Sequence, residues 1–307
     1  MRDYFVKAIM EEAKIDQDLV FITGDLGFGV FERFEELYPN QYFNLGVTEQ
    51  AMTGVATGLA LEDKRTITYS IGNFPTLRCL EQIRNDAAYH NVNLTIVAIG
   101  GGFAYGQLGM SHHATEDMAI MKALPNVDVL VPGTDSEAEE ISKIAFNRNC
   151  TSYIRLDKSA AIETDEVEPF RFGMLRRFRS GSDIAIIGIG GILEEALKAA
   201  EELKDKHSIS ASVFGCHSLK PFDSNGFAKI LSEIKNIVTV EEHNMYGGLG
   251  STICENIVKD KLPYDSFTQI SLNDEYSAVV GDQNFLRDYY KLTSKHIINN
   301  ILDIFKT

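Results

Sequence analysis

An acid opens a run of small and apolar residues in the segment Phe43-Asn44-Leu45-Gly46-Val47-Thr48-Glu49-Gln50-Ala51-Met52, continued by Thr53-Gly54-Val55-Ala56-Thr57-Gly58-Leu59-Ala60. Ala51, Val55 and Leu59, with Met52, Ala56 and Ala60, recur at i, i+4 and predict a helix from Thr48 to Leu61, capped by Thr48 or Gly46. Gly54 and Gly58 each weaken such a helix by about 1 kcal/mol relative to Ala, which makes sense where another backbone comes very close. A carboxylate beside a dry, close-packed surface must share a proton or find a donor. Glu49 is therefore a candidate for chemistry. The plainer reading is a first-turn acid favoured by the helix dipole.

Other candidates sit in glycine-rich turns after strand-like runs. Asp25, in Gly24-Asp25-Leu26-Gly27-Phe28-Gly29, could orient a polar group or cap a turn. The long loop from Gly100 to His113 carries Gln107, His112 and His113. Adjacent histidines point apart and lack a third partner at metal-ligand spacing, so proton transfer or oxyanion binding suits one of them better. Gly188-Ile189-Gly190-Gly191 reads as a tight strand-to-helix turn, since Leu193 stands where a dinucleotide fingerprint needs glycine. Glu241-Glu242-His243 precedes Gly247-Gly248-Leu249-Gly250-Ser251, whose amides could meet an anion or simply pack closely, and His243 is a candidate for the edge of a site.

The elements that must position these residues alternate. Apolar strand runs at Leu19–Ile22, Thr66–Tyr69, Leu94–Ile99, Val127–Val131 and Tyr153–Leu156 are separated by helical patterns at Asp3–Lys14, Thr48–Leu61, Thr76–Tyr89, Glu116–Leu124 and Ser136–Phe146. A second rhythm has strands Ile184–Ile189, Ile209–Phe214, Ile237–Val240 and Thr268–Ser271, and helices Leu193–Leu203, Asn225–Ile234, Ser251–Val258 and Phe285–Phe305. Strands apolar throughout and separated by helices predict an α/β fold of two domains, each a mostly parallel sheet flanked by helices. The expected boundaries are 1–162, a linker over 163–180, and 181–307, with the basic tract Arg176-Arg177-Phe178-Arg179 read as a solvated face.

Composition narrows the function classes. With 29 basic and 44 acidic residues among 307, the net charge of −15 disfavours nucleic acid and anionic membrane as partners, while leaving room for one local phosphate pocket. The four cysteines form no C-x-x-C pair, no apolar run reaches membrane-spanning length, and Met1 leads straight into an amphipathic helix pattern. A cytoplasmic protein is expected.

Four ordered segments resemble the transketolase family of thiamine-diphosphate enzymes: Gly24-Asp25-Leu26; Phe43 to Ala51; Gly109 to Asp117 with Leu124-Pro125-Asn126; and Val238 to His243 with Gly247-Gly248-Leu249-Gly250-Ser251. Their order matches the pyrimidine-binding and C-terminal domains of that family. The resemblance implies that Glu49 shares a proton with N1′ of the aminopyrimidine, that Phe74 stacks on that ring, and that Asp25 and Arg78 line the cofactor pocket. It further implies that His112 faces the reacting carbonyl, with His113, Gln107, Arg2, Arg155 and Lys158 toward substrate. Three positions depart from the family: Gly100 where many members carry His, Leu108 where an acid reads a substrate hydroxyl, and Lys158 where Arg grips phosphate. A lysine can hold phosphate as a point charge without the fork of two bonds.

No G-D-G…N segment, which in this family binds Mg²⁺ and the cofactor diphosphate, occurs in the sequence. The chain thus looks like the C-terminal component of a split transketolase, completed by a separate diphosphate-binding chain in a two-plus-two assembly that acts on sugars or sugar phosphates. The β component of a 2-oxo acid dehydrogenase shares the two-domain plan, but the T-E-Q-A-M helix and the V-E-E-H…G-G-L-G-S pairing favour transketolase. A non-catalytic partner is the third reading, opposed by the intact Glu49 and His112.

Overall fold

The structure is a computed structural model that describes residues 1–306. In the first half, α1 (Arg2–Ile15), β1 (Leu19–Thr23), α2 (Glu32–Leu37), β2 (Tyr42–Asn44), α3 (Glu49–Leu61) and β3 (Arg65–Ile71) follow one another. A composite spiral then contains the single turn α4 (Leu80–Gln82) and leads to β4 (Leu94–Ile99), α5 (Asp117–Ala123), β5 (Val127–Leu130), α6 (Asp135–Phe146) and β6 (Thr151–Leu156). Strands β1, β4 and β6 are buried at every residue, as their unbroken apolar runs demand of a sheet covered on both faces.

The second half contains β7 (Arg176–Arg179), β8 (Ile184–Ile189), α7 (Leu193–His207), β9 (Ala211–Gly215), β10 (Ser218–Lys220), α8 (Ser224–Glu233), β11 (Asn236–Asn244), α9 (Leu249–Asp260), β12 (Ser266–Leu272), α10 (Gln283–Tyr289) and α11 (Ser294–Ile304). The strand orders are β10-β5-β6-β4-β3-β1-β2 and β12-β11-β8-β9-β7. Both sheets are parallel except at one edge, where β10 runs against β5 and β7 against β9. Strand β10 comes from the second half yet completes the first sheet, so the two halves are joined through backbone as well as side chains.

Several sequence expectations are corrected. The basic tract is the edge strand β7: Phe178 and Arg176 are buried, and Arg176 pairs with Glu137 and Glu163, so Arg176 does not face solvent. The helix expected over Thr76–Tyr89 is a composite of a 3₁₀ turn at Leu77–Cys79, α4, and a π segment at Ile83–Ala88. Pro75 offers no N–H, and the Thr76 hydroxyl bonds back to Gly72 O at 3.1 Å, so the entry is held as a tight turn. The C-terminal helix is two helices, broken where Lys291 takes φ +60 and Leu292 turns into the core. Helix α2 and strand β2 carry too few residues for periodicity to show them.

Thr48 does not cap α3 through its side chain; its hydroxyl donates to Leu45 O at 2.8 Å. Nor do Gly54 and Gly58 meet a close neighbour within the chain, since a methyl group on either would find nothing within 4 Å. Together with exposed Ala51 and Val55 they form a bare outer face on α3.

Candidate functional site

Parallel strands deliver their C-terminal ends to one edge of a sheet, and ligands of open α/β folds bind there. At that edge of the first sheet lie the turn after β1 with Asp25, the start of α3 with Glu49, the turn after β3 with Phe74 and Arg78, the loop after β4 with His112, and Lys158 after β6.

Glu49 is 2% exposed. Ser70 Oγ donates to its Oε1 at 3.3 Å and Arg78 Nη1 to its Oε2 at 3.0 Å. The Arg78 guanidinium also lies over the Phe74 ring, 4.8 Å from its centroid, and the His112 ring meets that same ring edge-on at 5.1 Å. Four predicted residues therefore form one contiguous row: Glu49, Arg78, Phe74, His112. Asn73 fastens the row, because its Nδ2 donates to His113 O at 2.6 Å and so ties the β3 turn to the His112 loop. Burial lowers the His112 pKa below its usual 6.5, with a smaller push from His113, so its ring is neutral at neutral pH.

Asp25 stands apart from the row. Its backbone takes φ +56, and its N–H donates to Asn44 Oδ1 at 2.9 Å; the same oxygen accepts from Gly46 N at 3.0 Å. Asn44 thus joins the Asp25 turn to the turn that leads into Glu49. Asn44, Ser70 and Asn73 were missed from sequence, where nothing in their spacing marks them.

Arg2 and Lys158 line one cavity of about 310 Å³ with Tyr105, Asp157 and Ile99. The Lys158 ammonium lies 3.8 Å from the Tyr105 ring centroid, and burial lowers its pKa. Tyr105 also accounts for Gly100, where a methyl group would overlap its ring and φ is +99. Gln107 is exposed on a neighbouring cavity of about 600 Å³ that Lys158 also lines.

Two residues assigned toward substrate face elsewhere. Arg155 is 2% exposed, pairs with Asp117 at 3.0 Å, and donates to Ala114 O at 2.9 Å and Glu242 O at 3.0 Å. It holds the two halves together, because a buried guanidinium is stable only where partners surround it. His113 is buried as well, with Nε2 3.1 Å from Gly106 O and its ring edge-on to Phe103; it lines a separate cavity of about 310 Å³ between the halves. The two adjacent histidines do point apart, one toward Phe74 and one into the seam.

At the second sheet the glycine-rich turn is already filled. Leu249 N and Gly250 N at the start of α9 donate to Glu241 at 2.7 and 2.8 Å, and Gln269 Nε2 adds a third bond at 3.0 Å. Burial pushes Glu241 up to about 7, although these donors pull it down. His243 does not reach a site edge: it is fully buried, its Nδ1 lies 2.8 Å from Asn244 O, and burial lowers its pKa to about 4. Among the described residues no three His, Cys, Asp or Glu side chains converge to hold a metal, and no helix is long and apolar enough to cross a membrane.

Residues 1–162 match the family described as transketolase, pyrimidine binding domain, and residues 173–297 match transketolase, C-terminal domain. The chain belongs to the transketolase family. It is 30% identical over 308 residues to a subunit of the apulose-4-phosphate transketolase of Phocaeicola vulgatus, covering 99% of this chain and 97% of that one. It is 33% identical over 311 residues to the putative transketolase C-terminal section of Methanocaldococcus jannaschii, covering 100% and 96%. Among solved structures, a split-gene transketolase described as an inactive β4 tetramer superposes with a TM-score of 0.86 at 29% identity, covering 99% of this chain and 97% of that one.

Proposed function

We propose that this chain is the C-terminal subunit of a cytoplasmic, thiamine-diphosphate-dependent, transketolase-like enzyme that moves a two-carbon ketol unit between sugars. It acts with a separate diphosphate-binding subunit. One observation carries the reading: a carboxylate 2% exposed at a helix N-terminus is bonded to a flat cation that lies over an aromatic ring. The Arg78 guanidinium is a stand-in. Like a protonated aminopyrimidine it is planar, donates N–H to Glu49, and covers Phe74. The residues present therefore fit the cofactor ring, with Glu49 for its nitrogen, Phe74 for its face, and Arg78 giving way.

When bound, the cofactor supplies the electron sink for cleaving the carbon–carbon bond beside a ketose carbonyl. Glu49 would hold the ring nitrogen of that cofactor through a shared proton at its carboxylate. His112, neutral at neutral pH, accepts a proton from a substrate hydroxyl and returns it. Arg2 and Lys158 hold the phosphate of a sugar phosphate, and Gln107 bonds its hydroxyls. Asp25 shapes the turn beside Glu49. The diphosphate and Mg²⁺ belong to the partner, which docks on the bare face of α3 in a two-plus-two assembly. That face has the small residues that close backbone approach requires.

The test is reconstitution. The chain is mixed with a diphosphate-binding subunit, thiamine diphosphate and Mg²⁺, then given a ketose phosphate and an aldose acceptor. Two-carbon transfer is the expected result. Decarboxylation of a 2-oxo acid with lipoyl transfer would instead identify a dehydrogenase component, and inertness with every cognate partner would identify a non-catalytic one.

A further inference from the structure

We infer that the buried pair Glu242–Arg287 of the second half is the positioning device for the substrate end of the site, and leaves Glu49 and its helix untouched. This rests on the functional reading above for what each end does. The side chains of Glu242 and Arg287 are 1% and 2% exposed, on β11 and α10. Arg287 Nε donates to Glu242 Oε2, and Glu242 Oε1 accepts the N–H of Phe103 at the base of the Gly100–His113 loop. Gly102 is required beside it, since φ is +58 and a methyl group would run into the carboxylate.

The same arginine reaches the other substrate-side element. Its Nη2 donates to Ser159 Oγ at 2.8 Å and lies 3.6 Å from Asp157 Oδ2. Asp157 Oδ1 in turn accepts from Lys158 N at 2.7 Å and Ser159 N at 3.2 Å, and fixes the turn that presents Lys158. Gln283 closes the cluster, donating to Asp157 at 2.9 Å and Glu242 at 3.1 Å. The base of the loop that leads to His112 and the turn that carries Lys158 therefore share one buried ion pair. Glu49 is held by Ser70, Arg78 and α3, and among the described residues no bond of the cluster reaches it; the link from the loop to the β3 turn is Asn73 Nδ2 on His113 O at 2.6 Å, beyond the cluster.

The consequence is separable kinetics. In the assembled enzyme, Arg287→Met is expected to raise KM for a phosphorylated sugar and lower kcat, each by about tenfold, the scale expected for misplaced groups. Thiamine diphosphate affinity, read by fluorescence titration, should stay within about twofold, and Arg287→Lys should recover part of the loss. On the chain alone, hydrogen exchange should rise over 101–113 and 157–159 while 49–60 stay unchanged. Glu242→Gln, which preserves shape and the Phe103 acceptor, gives a milder version should Arg287→Met fail to fold. Uniformly raised exchange, parallel loss of cofactor affinity, or unchanged exchange in both variants would overturn the inference. If the wild-type assembly transfers no ketol unit, the functional reading fails, and the exchange measurement still decides the positioning claim.

Discussion

At its strand ends the first sheet presents Arg78, Phe74, His112 and Lys158 in turns that leave part of each group exposed, with Glu49 buried behind Arg78. At the matching ends of β8 and β11 the second sheet has glycine-rich turns of the same appearance. There Glu241 fills the start of α9 and His243 is enclosed. Similar local sequence thus serves opposite ends: an anion supplied by the chain closes a helix N-terminus, whereas a carboxylate is covered by a half-exposed arginine. The difference lies in the partner's freedom to leave. Arg78 has 46% of its side chain exposed and can swing into water, while the Leu249 and Gly250 amides have nowhere to go.

The largest test of that contrast is Glu49→Gln, which removes the carboxylate that, on the proposed function, shares a proton with the cofactor. Turnover of the reconstituted enzyme should fall by about 10²–10⁴-fold, with the chain still folded by circular dichroism. Next comes Glu241→Ala, which orphans the Leu249 and Gly250 amides. It should cost about 2–6 kcal/mol in urea unfolding, at roughly 1–3 kcal/mol for each of the two unsatisfied buried groups, and leave the rate per folded molecule unchanged.

A pH effect should likewise belong to the closed region. His243 and His217 have folded pKa values lowered to about 4 from the usual 6.5, chiefly by burial, with Asp117 and Arg155 facing the first and Arg176 and Glu137 the second. Between those values the unfolded chain binds more protons, so the histidines' contribution to stability should fall as pH drops from 6.5 toward 4 and level off below, while Glu241, raised from 4.5 to about 7, works in the opposite sense between those two values. Urea midpoints of the chain and of His243→Gln across that range isolate the histidine contribution: the variant's midpoint should vary less in the falling direction. The smallest effect is the most diagnostic in sign. Arg78→Ala should tighten thiamine diphosphate binding by about threefold to fivefold, the worth of breaking a half-exposed pair. Weakened binding would mean that Arg78 grips the cofactor and does not merely hold its place.

The row around Glu49 was legible because its chemistry lies in short motifs at strand ends, where residue type and order survive without knowledge of packing. Arg155 and His113 were assigned to substrate from such motifs. A motif gives position along the chain, whereas the rotation of a side chain toward pocket or seam depends on what packs behind it. Arg176 shows the same limit: four residues rich in arginine look solvated until Glu137, thirty-nine positions earlier, is folded against them. The Glu242–Arg287 pair spans 45 residues and unites segments near 103, 157 and 287, with no local signature at all.

Alternation of apolar strands with amphipathic helices determined two parallel sheets, since runs apolar throughout can be buried only when both faces are covered. The small-residue helix and its leading acid were likewise set by local sequence. Tertiary structure alone decided that β10 would complete the other half's sheet, that Glu241 would accept from the amides at the start of α9, and that Arg78 would bridge Glu49 and Phe74. Each of those depends on long-range pairing of charges and amides, whose free energy exists only once burial has removed competing water.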